Sequence, residues 1–167
     1  MKQIQFEPTI VSVMSFMNGL NDEQKSELFD RLKEKQPSLY QYSIASIIEV
    51  DPRCEMICIN LLFIMLRCFE LFYGELTVVS EETCMAYGEE ANNKFQSLLK
   101  KQSLSKVRTT FRYDVRQKDL VNFIDDWIDE SRIDGSRIPS DVISFIKISN
   151  YFTIELLNRE IQKMSDN

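Results

Sequence analysis

Apolar residues recur along the chain at the spacing that an amphipathic helix requires. The longest apolar stretch covers residues 56–73, and three polar residues interrupt it, Asn60, Arg67 and Glu70. Its uninterrupted core, residues 61–66, is far shorter than the ~20 apolar residues of a membrane span. The stretch therefore predicts a central buried helix over about residues 52–73, and we expect no membrane among the partners of this protein. The residues expected at the centre of the core are Leu61, Leu62, Ile64, Met65 and Phe69.

Capping residues predict where several other helices begin. Asn21, followed three residues later by Gln24, has the spacing of a capping box. Pro37 predicts the start of a third helix, and Ser80 is expected to cap a fifth. Apolar residues within 120–128 follow the i, i+3, i+4, i+7, i+8 rule and form the clearest amphipathic pattern of the chain.

Two regions are less regular than the rest. Apolar residues within 102–118 fit a helix that is out of phase with the preceding one, which predicts a break near Ser103. Short strand-like segments occur at 75–79 and 109–113, but neither has the turn residues of a hairpin. We therefore expect a helix within residues 102–118, and we assign no strand at 75–79 or 109–113.

The pattern as a whole predicts an all-α protein. A loop around residues 134–139 leads to a final helix at about 141–164, and no internal repeat, low-complexity tract or linker divides the sequence. We expect a single helical domain over residues 1–167. Its predicted architecture is a bundle of six or seven helices around the central buried helix at about 52–73.

Composition removes several classes of enzyme. The 167 residues include no histidine, which excludes histidine-dependent catalytic triads and imidazole metal sites. Phosphate-binding glycine loops and the nucleophile motifs of hydrolases are also missing from the sequence. The sequence therefore assigns no catalytic residue and no cofactor, and it favours a protein that is not an enzyme.

All four cysteines lie within apolar, helix-like segments: Cys54, Cys58, Cys68 and Cys84. We interpret them as reduced, buried side chains. Cys54 and Cys58 are four residues apart and would share a helix face, so a metal or redox role is the alternative. The first residues lack the charged and apolar regions of a secretory signal, and the expected location is the cytoplasm.

An acidic motif, DDWID at residues 125–129, resembles the aspartate-rich DDxxD motif of helical isoprenoid synthases over these five residues. In that family, carboxylates on one helix hold Mg²⁺ ions that bind a diphosphate. Asp125 and Asp129 are one helical turn apart, which makes them candidate Mg²⁺ ligands. Trp127 and Ile128 belong to the apolar face, so we expect both aspartates on the solvent side and a metal site there is only a weak candidate.

Charge is distributed unevenly along the chain. The net charge is −6, yet eight basic residues and one acid fall within residues 91–118. In a helix, Arg108, Arg112 and Arg116 would form a row able to contact successive phosphates. Together with Lys101 they are the predicted partner-binding or phosphate-binding residues. Acidic residues flank this segment on both sides, so pairing within the protein is the alternative.

Three functions remain, in order of preference. The first is a non-enzymatic protein–protein interaction module, such as a regulator, an adaptor or an immunity-type protein, because catalytic motifs are missing and segregated charges select partners. The second is nucleic-acid or phosphate binding through the basic segment 94–118. The third is a Mg²⁺-dependent phosphohydrolase that uses Asp125 and Asp129.

Overall fold

A computed structural model describes residue 4 and residues 9–165 of the chain. Its 82% helix content confirms the all-α class. The described part contains eight α-helices, which are α1 (Val11–Asn18), α2 (Asp22–Lys35), α3 (Pro37–Val50), α4 (Glu55–Tyr73), α5 (Glu81–Leu99), α6 (Leu104–Asp114), α7 (Lys118–Glu130) and α8 (Ser140–Ser165). A 3₁₀ turn at Pro52–Cys54 precedes α4. The count is one more than the upper expected number of seven, and α6 lies in the region where the sequence pattern is least regular.

Side-chain caps begin the helices where the sequence predicts them. At α2, the Asn21 side chain accepts from the backbone N–H of Gln24 at 2.9 Å, and the Gln24 side chain accepts from that of Asn21 at 3.0 Å. The Ser80 hydroxyl accepts from the backbone N–H of Thr83 at the start of α5. These bonds satisfy N–H groups that have no partner within the helix, so the predicted caps are confirmed.

Helix α4 forms the centre of the bundle, as its apolar pattern predicts. The side chains of Leu61, Leu62, Ile64, Met65 and Phe69 are at most 1% exposed. Helices α1, α2, α3, α7 and α8 all pack against α4. Gly74 ends the helix with φ 99°, a backbone conformation that side chains other than glycine rarely adopt.

Length and composition alone would allow one described segment, Pro52–Tyr73, to cross a membrane. That is weak evidence, because the core helix of a bundle has the same composition. Ten residues of α4 are buried against the surrounding helices. The packing therefore accounts for the apolar character of this segment.

A two-stranded hairpin lies between α7 and α8, where the sequence predicts a loop. Strand β1 (Arg132–Ile133) pairs antiparallel with β2 (Ser136–Arg137). Asp134 and Gly135 both have positive φ, 51° and 75°, as a type I′ turn requires. The Asp-Gly pair was the sequence signal for this turn. Neither strand-like segment forms a strand: 75–79 has no regular secondary structure, and 109–113 lies in α6.

Candidate functional site

The predicted row of arginines is interrupted by the end of α6. The helix stops at Asp114, and Val115 is extended, so Arg116 lies beyond the helix on which Arg108 and Arg112 stand. The break at Ser103 occurs where it is expected, but the helix ends too early to include Arg116. The i, i+4, i+8 row across Arg108, Arg112 and Arg116 is therefore wrong as a helical surface.

Arg112, the middle arginine of that row, is bound within the protein. Its Nε donates to Asp125 Oδ2 at 2.7 Å, and its Nη2 donates to Asn122 Oδ1 at 2.6 Å. The hydrogen bond to Asp125 raises the pKa of the guanidinium. This side chain joins α6 to α7, so a phosphate or a partner would have to compete with two internal acceptors.

The other predicted binding residues lie in three different settings. Lys101 is exposed just after α5, and Arg116 is exposed just after α6. Arg108 is half-buried, and its Nη1 lies 3.5 Å from the Ser144 hydroxyl. Among the described residues, none of these three cations has a carboxylate partner, and no shared cleft brings them together.

Asp125 is far less solvated than the sequence analysis expects. Its side chain is 13% exposed, and Lys147 Nζ and the Tyr151 hydroxyl lie 3.7 Å and 2.5 Å from its Oδ1. Burial, followed by this hydrogen bond, raises the pKa of Tyr151. Asp129 is 57% exposed, and its Oδ2 accepts from Lys147 Nζ at 2.8 Å. Lys147, a buried cation within the apolar run ISFIKIS, is the partner that sequence reasoning missed.

The same contacts bear on metal binding. Both oxygens of Asp125 are already bound by cationic or hydroxyl donors, so Mg²⁺ would have to displace them. In the described part of the chain, no three cysteine, aspartate or glutamate side chains are grouped as metal ligands. The four cysteines are buried and unpaired. Burial raises the pKa of both Cys58 and Cys68 to about 12, which keeps these thiols protonated and unreactive at neutral pH.

An open groove between α3, α5 and α8 has a mostly apolar lining. Its volume is about 550 Å³, within the range of ligand pockets. A second cavity of about 410 Å³ continues it toward the start of α3 and shares three lining residues with it, Gln41, Tyr42 and Gly88. We call this continuous surface the α3–α5 groove.

The α3–α5 groove follows α3 from end to end. Its lining residues on α3 recur every fourth position in two adjacent rows, Pro37, Gln41, Ala45 and Glu49, and Ser38, Tyr42, Ser46 and Val50. On α5, the lining residues follow steps of four and three, Glu81, Met85, Gly88, Asn92 and Phe95. Each set occupies one face of its helix. Of the four buried residues of α3, only Ile47 also lines the groove, so the lining rows are a second periodicity beside the core pattern.

Small residues form part of the groove floor. Gly88 is so close to α3 that a Cβ atom there would lie 3.0 Å from Tyr42 Cε2. A residue larger than glycine at position 88 would therefore have to displace the Tyr42 ring. The Tyr42 ring packs against Tyr87 with ring centroids 6.4 Å apart, and burial raises the pKa of its hydroxyl.

Aromatic side chains form the far wall of the groove. Phe95 of α5 and Phe145 of α8 are in contact, with ring centroids 6.1 Å apart. Phe152 packs edge-to-face on Phe111 and lines the groove beside them. Val50 and Met85 are 45% and 67% exposed at the groove. The lining therefore combines partly buried aromatic side chains with exposed apolar side chains.

The charges at the groove are acidic. Glu49 and Glu81 line it, and Glu82 and Glu89 are exposed beside lining positions of α5. None of these four carboxylates has an ion-pair partner among the described residues. Helix α3 contains no lysine or arginine, and the single basic residue of α5, Lys94, is paired with Asp114.

Another groove, of about 490 Å³, lies between α2, α4 and residues 75–78. Residues of both signs line it, including Arg31, Lys35 and Glu75. Arg67 and Glu70 are already paired there at 2.6 Å. This surface is more polar than the α3–α5 groove, and its charges select no single kind of partner.

Comparisons with protein-family models, curated proteins and solved structures find no match to this chain.

Proposed function

We propose that this protein is a non-enzymatic protein-binding module and that the α3–α5 groove is its binding surface. One observation carries the proposal. The groove follows the whole of α3, and its lining combines partly buried aromatic side chains with exposed apolar side chains. An open, mostly apolar groove of this volume is typical of sites where a protein binds a ligand or a partner segment.

The charge layout supports a protein partner over a nucleic acid. Arg112, at the centre of the basic segment, is hydrogen-bonded to Asp125 and Asn122. The groove itself carries unpaired carboxylates, which repel phosphates. Nucleic-acid or phosphate binding therefore ranks below protein binding, and a phosphohydrolase that uses Asp125 and Asp129 ranks third because internal donors occupy both carboxylates. The cytoplasmic location stays a prediction.

Site-specific photocrosslinking in living cells tests the proposal. A photoreactive phenylalanine replaces Gln41, an exposed residue that lines the groove, and in a control it replaces Ser26, an exposed residue of α2. We expect a defined protein adduct from position 41 and none of that mass from position 26. Plugging the groove with Ser46→Trp in the Gln41 variant should abolish the adduct.

Two outcomes would overturn the proposal. One is the same set of adducts from both positions, because that shows random collision. The other is an adduct from position 41 that survives the Ser46→Trp plug. Circular dichroism of each variant establishes that the helices are intact before the adducts are compared.

A further inference from the structure

We infer that the α3–α5 groove binds a basic amphipathic helix, about four turns long, supplied by a partner protein. This inference rests on the proposed function and adds the chemistry of the partner. Three properties of the groove carry it: its length and wall geometry, the chemistry of its walls, and the sign of its charges.

The geometry of the groove suits a helix. Helix α3 has 14 residues, which at 1.5 Å per residue makes the groove about 21 Å long. The lining rows on α3 and α5 repeat every three or four residues, and such rows are the ridges between which a third helix packs. Two small residues of α3, Ala45 and Ser46, allow the incoming helix to approach closely. A helix of about four turns would fill the groove.

An extended peptide suits the groove less well. Peptides in the β conformation are held mainly by hydrogen bonds to an exposed sheet edge. The walls here are helices, whose backbone N–H and C=O groups are bonded within the helix. The groove therefore offers no ladder of backbone partners, and a ligand that satisfies its own backbone is favoured. A helix does so, and its apolar face can contact Phe95, Phe145 and Phe152.

The charges select a basic partner. Four exposed carboxylates, those of Glu49, Glu81, Glu82 and Glu89, lie at or beside the groove, with no ion-pair partner among the described residues. No lysine or arginine is among the described residues that line the groove, and Lys94 of α5 and Lys147 of α8, on the helices that form its walls, are both paired with aspartates. Lysines or arginines flanking the apolar face of the partner would complement this rim and repel acidic competitors.

In the part of the chain that the structure describes, a second copy offers no such helix. The basic helix among the described elements is α6, and its apolar residues Val107 and Phe111 are buried in the protein's own core. The net charge of −6 also opposes self-association. The partner is therefore a different protein.

Three synthetic peptides of about 14 residues test this inference with the full chain. The first is an amphipathic Leu/Lys helix, the second has the same pattern with Glu in place of Lys, and the third is a scrambled Leu/Lys sequence without an apolar face. Fluorescence anisotropy of labelled peptides measures affinity. We expect the Leu/Lys helix to bind at least about tenfold more tightly than either control peptide.

Matched variants locate the binding. Ser46→Trp should abolish binding of the Leu/Lys helix, while Ser26→Trp on α2 should leave it unchanged. The double variant Glu49→Lys/Glu89→Lys should weaken binding about tenfold. Glu27→Lys/Asp126→Lys makes the same change in net charge at exposed positions away from the groove, and it should have a much smaller effect.

The outcomes separate this inference from the proposed function. Suppose that the Leu/Glu helix binds as tightly as the Leu/Lys helix and that Ser46→Trp abolishes the binding of both. The proposal that the groove is the binding surface is then supported, and the inference that the partner is basic is overturned. If Leu/Lys binding survives Ser46→Trp, or falls equally with both double variants, the groove is not the site and both proposals fail. Binding of dodecanoate that Ser46→Trp blocks, with no binding of any peptide, also overturns both, because the groove then holds a small apolar ligand.

Discussion

Lys147 shows how one residue changes the interpretation of a motif. The DDWID sequence favours a solvated acidic face or a Mg²⁺ site, depending on what lies opposite its carboxylates. The structure places a buried lysine there, whose side chain is 6% exposed. Lys147 follows Asp125 by 22 residues and stands on a different helix, so spacing along the sequence could not reveal the pair.

The first prediction concerns this buried pair. Asp125→Ala should lower the free energy of unfolding by about 3–5 kcal/mol, because it removes the acceptor of the Tyr151 hydroxyl and of Arg112 and one of the two carboxylates beside the buried Lys147. Lys147→Met should cost less, since Asp125 keeps its bond to Arg112. Urea unfolding followed by circular dichroism gives both values. Asp126→Ala, at an exposed position, is the control and should change stability by less than about 0.5 kcal/mol.

The opposite order, with Lys147→Met more destabilising than Asp125→Ala, would contradict this account of the cluster. It would mean that the burial of Asp125 depends on Lys147 more than Lys147, Arg112 and Tyr151 depend on Asp125.

At the scale of helices, the sequence predicted what depends on local signals. The capping box at Asn21, the proline at 37 and the glycine at 74 mark their helix ends because each acts on its own backbone. The end of α6 has no such signal: its final residues could continue the helix through Arg116. The α3–α5 groove was also not predictable, because three helices that are distant in sequence enclose it.

The second prediction separates the two arginines that the end of α6 divides. Arg112→Gln should destabilise the protein by about 1 kcal/mol, because a partly exposed guanidinium loses its bonds to Asp125 and Asn122. Arg116→Gln should change stability by less than about 0.5 kcal/mol, since Arg116 is exposed and has no carboxylate partner in the described part of the chain. Urea unfolding of both variants measures the difference.

The same proteins test the phosphate-binding alternative. We expect no submicromolar binding of single- or double-stranded oligonucleotides near physiological salt, measured by mobility shift. Tight binding by the wild type that Arg116→Gln weakens would contradict this expectation and would raise the nucleic-acid function above the protein-binding one.

At the scale of the whole molecule, one buried amide joins parts of the chain that are far apart in sequence. Gln117 is fully buried between α6 and α7. Its Oε1 accepts from the backbone N–H of Ile4 at 2.6 Å, and its Nε2 donates to the Tyr73 hydroxyl at 2.9 Å and to Asn158 Oδ1 at 3.0 Å. The sequence around it, RQKD, reads as an exposed polar connection. Only tertiary packing shows that Gln117 links residue 4, the end of α4 and α8.

The last prediction is that this linkage stabilises the whole bundle. Gln117→Met keeps a similar side-chain volume but leaves the Ile4 N–H and the Asn158 amide oxygen without this partner in the interior, so unfolding should become easier by about 3 kcal/mol. Gln96→Met, on an exposed face of α5, is the matched control and should change stability by less than about 0.5 kcal/mol.

Urea unfolding measures the global effect, and hydrogen exchange of the Ile4 amide measures the local one. Because that amide donates to Gln117, its exchange should accelerate in Gln117→Met well beyond the global loss of stability. Equal stability of the two variants, or Ile4 exchange that changes only as much as that of the core amides of α4, would show that the contacts of Gln117 follow from the packing and do not stabilise it.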